Sequence, residues 1–110
     1  MAKTFAKPLK IARLYVKDLK KNLKVKRAVV FGSVARGEMT EDSDIDLIII
    51  SPDFKKMDFV KRFTFLSHLR EGITRKVPMD IFGYTPEEFK KLSKESVALG
   101  EAAKEGIVIK

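Results

Sequence analysis

Two short, β-branched apolar runs constrain this chain more than any other feature. Arg27-Ala28-Val29-Val30-Phe31 halts at Gly32, and residues 45–51, the most apolar run in the chain, are closed by Pro52 and carry Asp46 inside and Asp44 at their entrance. Runs of this length, bounded by turn residues, read as buried strands rather than helices. A glycine closing the first permits a tight turn, with Ser33 placed to cap a short helix after it. The second run, interrupted by Asp46, is far too short to cross a bilayer.

Around these strands the periodicity changes. Leu9, Ala12, Val16, Leu19 and Leu23 recur at spacings of three and four, predicting an amphipathic helix from Pro8 to about Leu23 with the proline in its first turn. Phe59, Val60, Phe63, Leu66 and Leu69 give a second helical stripe, running to about Glu71 with Gly72 as its stop. Residues 77–84 read as a third strand, and the polar residues 37–43 as a loop. Thr85-Pro86-Glu87-Glu88 is a capping box with proline at the first helical position, so a helix starts there. In the tail, Gly100 and Gly106 read as breaks, and residues 107–109 as a short strand or docked end. The expected architecture is α/β or α+β: a small mixed sheet covered by helices, in one domain spanning residues 1–110. Strand order does not follow from the pattern.

Charge narrows the partners. The chain carries +8, yet residues 1–27 hold ten Lys or Arg against Asp18 alone, so the remainder is nearly neutral. The basic N-terminal helix reads first as a solvated face and only second as a nucleic-acid patch, because Phe5 and Tyr15 are its only aromatics. Cysteine is absent, which removes disulfides and thiolate metal sites and suits a reducing cytoplasm. The N-terminus lacks the apolar stretch of a signal peptide.

The chemistry-bearing residues lie at the strand ends. Asp44 and Asp46, two apart on a strand, project from one face about 6–7 Å apart. Their mutual repulsion asks for a cation, and an all-oxygen site suits Mg²⁺ that takes further ligands from a phosphate. Gly32 and Ser33 supply the complement, a turn whose backbone N–H groups can receive phosphate oxygens. The two halves meet only if the first and second strands are neighbours. His68, Glu38, Glu41 and Asp42 read as solvated, and Phe82 and Tyr84 as core aromatics before nucleobase platforms.

Gly32-Ser33, ten residues, then Asp44-Ile45-Asp46 resembles the G-S-x10-D-x-D signature of the DNA polymerase β-like nucleotidyltransferases. The segment VVFGSVARGEMTEDSDIDLIII is similar to the core of their minimal nucleotidyltransferase (MNT) group, and Met79-Asp80-Ile81 falls where that family has a third carboxylate. The resemblance implies the nucleotidyltransferase fold, with Asp44, Asp46 and Asp80 as catalytic and metal-binding acids and Gly32, Ser33 and Arg36 on the nucleotide. It implies two Mg²⁺ ions during turnover and ATP as substrate, with AMP passing to a hydroxyl. MNT proteins resembling this chain act as antitoxins to HEPN-domain ribonucleases, which implies a tyrosine of a HEPN toxin as acceptor. Alternatives are a catalytically silent antitoxin that keeps the fold as a docking surface, and transfer to a small molecule.

Overall fold

The computed structural model describes residues 2–32, 35, 37 and 44–110, without the side chains of residues 2–7 and Ile73. Its elements in chain order are α1 (Ala2–Leu19), β1 (Arg27–Phe31), β2 (Ile45–Ile50), a 3-10 turn (Pro52–Lys56), α2 (Phe59–His68), α3 (Ile73–Lys76), β3 (Met79–Tyr84), α4 (Pro86–Glu95), α5 (Val97–Glu105) and β4 (Ile107–Val108). The four strands form one mixed sheet in the order β3-β2-β1-β4. β1 runs antiparallel to β2 and β4, whereas β2 and β3 are parallel.

Alternation along the strands builds two apolar layers. Ala28, Val30, Ile45, Leu47 and Ile49 face α1, whose Ala12, Tyr15, Val16 and Leu19 are buried against them together with Phe54 and Leu66. The Tyr15 hydroxyl donates to the Leu66 carbonyl at 2.6 Å, tying α1 to α2, and burial pushes the Tyr15 phenol well above its ordinary pKa. On the opposite face Val29, Ile48 and Ile50 pack against Phe89 of α4 and Ala102 of α5. Each such apolar side chain taken fully from water contributes about 1.5–3 kcal/mol.

The helices depart from the sequence pattern in several places. α1 runs from Ala2 to Leu19, so Pro8 stands inside it and the helix ends short of the expected Leu23. Residues 2–7 include Ala2, Ala6 and two lysines, all good helix formers, and they extend the helix past the residue expected to open it. α2 stops at His68, and Gly72 (φ 56°) begins α3 instead of ending α2. There Arg70 donates to the carbonyls of Thr74 and Val77, while the Thr74 hydroxyl exchanges hydrogen bonds with Glu71, which fixes the extra turn. The α2 stripe holds only at its C-terminal end: Leu66 is buried and Leu69 packs on the core, whereas Phe59, Val60 and Phe63 are 61%, 76% and 65% exposed and Arg62 is 5% exposed. Gly100 lies within α5, and the break falls at Ser96, whose side chain caps α5. The Thr85 capping box forms as read, with reciprocal bonds of 2.8 and 3.1 Å to Glu88. The short helix expected after Ser33 and most of the 37–43 loop lie outside the described residues.

Candidate functional site

The site is set by register. Because β1 and β2 pair antiparallel, Phe31 stands opposite Asp46; because β2 and β3 pair parallel, Asp46 stands opposite Asp80. Residues level with one another on neighbouring strands are about 5 Å apart and project from the same face. Phe31, Asp46 and Asp80 therefore form a row on the face covered by α4 and α5, followed by Val29, Ile48 and Phe82, then Arg27, Ile50 and Tyr84. Phe89 and Ala102 pack against Val29, Ile48 and Ile50. The carboxylate row lies beyond that cover, with Asp80 exposed and Asp46 partly buried. Asp44 precedes β2 and is exposed, on the face of Asp46 by alternation.

Gly32 completes the junction. It follows β1 at φ 71°, a conformation that side chains rarely adopt. A Cβ built there would overlap Oδ2 of Asp46 and lie 3.2 Å from its Cγ. The Asp46 carboxyl group thus fills the space a side chain at residue 32 would take, which brings the glycine turn and the central acid into direct apposition. Ser33 and Arg36 lie outside the described residues, as do Glu38, Glu41 and Asp42. His68 is exposed at the end of α2.

Phe82, read from the sequence as a core aromatic, is 44% exposed, and its ring approaches that of Phe31 to 6.1 Å at 50° beside Asp46. Sequence reasoning missed Arg62, which donates to Met57 O at 2.9 Å, Phe54 O at 2.8 Å, Gly83 O at 3.2 Å and both oxygens of Glu88 at 2.7 and 3.1 Å. Its guanidinium also lies 4.7 Å from the Phe59 ring centroid. Hydrogen bonding to Arg62 holds the Glu88 carboxyl below its ordinary pKa, with the Thr85 bonds adding to the effect and partial burial opposing it. One buried cation therefore joins α2, the end of β3 and the cap of α4, and so holds the strand that carries Asp80. No signal in the sequence marked Arg62, since an arginine between phenylalanines on a helix reads as the polar side.

Among the described residues no three His, Cys, Asp or Glu side chains converge as a metal cluster. The donor chemistry nevertheless fits a hard divalent cation. Asp44, Asp46 and Asp80 offer oxygen only, on one face, beside a glycine turn that leaves no room for a competing side chain, and such ions take their remaining ligands from water and phosphate.

A family model described as a nucleotidyltransferase domain matches residues 12–105. The chain is 38% identical over 77 residues to "Putative protein adenylyltransferase MJ1215" of Methanocaldococcus jannaschii, covering 70% of this chain and 87% of that protein. It is 36% identical to "Putative protein adenylyltransferase MJ0128" of the same organism over 93 residues, 84% of this chain and 93% of that one. Among solved structures, it resembles the crystal structure of a "putative nucleotidyltransferase" from Sulfolobus solfataricus. The TM-score is 0.71 with 20% identity, covering 97% of this chain and 83% of that chain, a likeness of fold.

Proposed function

The chain belongs to the nucleotidyltransferase domain family, and from that membership we propose that this nucleotidyltransferase moves AMP from ATP to a tyrosine hydroxyl of a partner HEPN-domain toxin, acting in the cytoplasm as its antitoxin. What supports the reading is the apposition of Gly32 to Asp46, with Asp46 in register with Asp80 across the parallel β2–β3 pair. The relatives named as protein adenylyltransferases point to a protein acceptor.

In this reading Gly32, Ser33 and Arg36 would bind the phosphates of the triphosphate, and Asp44 and Asp46 would hold its metal. Asp80, exposed at the start of edge strand β3, is on the acceptor side. The tyrosine oxygen attacks the α-phosphorus in line; the new P–O bond forms as the bond to the β-phosphate oxygen breaks, and pyrophosphate leaves with that electron pair. The phenolic proton passes to the Asp80 carboxylate, which then releases it to solvent. Asp44, Asp46 and Asp80 would hold divalent ions, Mg²⁺ in this proposal and two during turnover, which would supply charge stabilisation to the transfer.

The test is intact-mass measurement of a HEPN-domain partner co-expressed with the chain, before and after ATP and Mg²⁺. Added adenylate on a tyrosine is expected. Silencing of the toxin with no mass change would reject transfer and leave a docking antitoxin.

A further inference from the structure

The outer face of α1 and of the turn after it is positive without interruption. The exposed residues from Lys10 to Lys24 are the cations Lys10, Arg13, Lys17, Lys20, Lys21 and Lys24, with Leu14 and Asn22 the only others. Asp18, the sole acid in residues 1–27, lies 3.7 Å from Lys21 Nζ. Among the described residues no other cation of this stripe is ion-paired. Nearby, the Asp53 carboxylate accepts from the Lys24 N–H at 2.8 Å, and α3, packed beside α1, adds exposed Arg75 and Lys76 against Glu71.

The same molecule shows what a solvated helical surface looks like. α4 and α5 expose four lysines and four glutamates, interleaved along the helices, so charges of opposite sign lie within reach of one another. α1 lacks that compensation. Lys10, Arg13, Lys17 and Lys20 recur at spacings of three and four, where like charges on a helix repel. A stripe that works against its own helix in this way is complementary to an anion lying along it.

Its composition selects the anion. Protein interfaces are depleted in lysine and anchored by buried aromatic and apolar side chains, whereas this stripe is mostly lysine and exposes Leu14 as its one apolar residue. A nucleic-acid backbone asks only for cations. With no exposed aromatic on the stripe to stack unpaired bases, the regular phosphate rows of a duplex suit it better than a single strand. The helix rises about 1.5 Å per residue, so Lys10 to Lys20 spans about 15 Å, over which one strand of a duplex presents about four to five phosphates. α1 covers the face of the sheet opposite α4 and α5, while Asp46 and Asp80 project from the α4–α5 face, so a duplex on α1 leaves the carboxylate row open.

We propose that the outer face of α1 is a docking surface for the phosphate backbone of a nucleic-acid duplex, engaged without sequence readout through Lys10, Arg13, Lys17 and Lys20, with Lys21 and Lys24 at one end. The inference stands on the placement of charge and is independent of nucleotidyl transfer.

The test is fluorescence anisotropy of the full chain with a labelled, mixed-sequence DNA duplex of about 20 base pairs, from about 50 to 200 mM KCl. The logarithm of the association constant is expected to fall with the logarithm of salt at a slope of about −4, the value for about four to five phosphate contacts. Arg13→Gln/Lys17→Gln/Lys20→Gln is expected to weaken binding at least about tenfold and to flatten the slope to about −1 to −2, with Tm at or above wild type and ATP binding unchanged. Lys90→Gln/Lys91→Gln/Lys94→Gln removes the same net charge from α4 and is expected to leave affinity and slope near wild type. Equal weakening by the two triple variants would reduce the effect to net charge and overturn the proposal. A wild-type slope shallower than about −2, or tighter binding to polyglutamate than to the duplex, the mark of an acidic protein partner, would overturn it as well.

Discussion

The Asp46 carboxyl group occupies the space that a side chain on Gly32 would need. Gly32→Ala must therefore relieve a positive φ and displace the acid at once. The expected cost is about 1–3 kcal/mol of stability, with at least a tenfold loss of ATP affinity. Thermal unfolding and calorimetry of the same variant check both; unchanged ATP affinity would separate the turn from the nucleotide site.

Arg62 is 5% exposed and satisfies three backbone carbonyls besides Glu88. Arg62→Met keeps the bulk and removes every donor, leaving buried acceptors unpaired. The expected loss is about 3 kcal/mol, a fall in Tm on the order of 10–20 °C for a domain of this size. A Tm within a few degrees of wild type would show that solvent replaces the arginine at these carbonyls.

Glu88 predicts an acid-sensitive cap. Its pKa is lowered in the folded chain, first by the Arg62 hydrogen bond, so the unfolded state binds the proton more readily. The stabilisation is full above the ordinary value of 4.5 and is lost as pH falls from there through the folded value. Between pH 6 and a pH below the folded value, wild type is expected to lose more stability than Glu88→Gln, as read by urea unfolding at each pH. Parallel loss in both would place the acid sensitivity elsewhere.

Gly83 lies where β3 meets the core beneath α2. A Cβ there would stand 2.8 Å from Phe54 Cζ and 3.2 Å from Leu66 Cδ1. Gly83→Ala is expected to destabilise by about 1–3 kcal/mol through overpacking, measured by denaturant midpoint, even though alanine ordinarily suits a strand better than glycine. A stabilised variant would mean that the Phe54 ring yields freely.

The strands and the chemical pattern were legible because they depend on local rules. β-branched runs, a closing glycine and period-two alternation are enough to place Gly32, Asp44 and Asp46 at strand ends, and Thr85 through Glu88 encode their own cap. The row that sets Asp46 level with Asp80 was not legible, since it depends on which strands pair and in what register, a non-local outcome. The first half of the α2 stripe, Phe59, Val60 and Phe63, misled for a related reason. A helical period marks one face as apolar but not which face the sheet covers, and Arg62 is buried only because Glu88, 26 residues away, and three backbone carbonyls converge on it. Gly100 was read as a break on its weak helix propensity, whereas Ser96 supplies the actual cap and tertiary packing carries α5 through the glycine.

The central claim is that the Gly32 turn and the aspartates of β2 hold a metal-bound triphosphate. Its most direct test is isothermal titration of ATP with Mg²⁺ into wild type and into Asp44→Asn/Asp46→Asn, with Tm confirming that the double variant is folded. Magnesium-dependent binding by wild type that disappears in the folded double variant is the predicted result; equal binding by both, or none by wild type, would contradict the account.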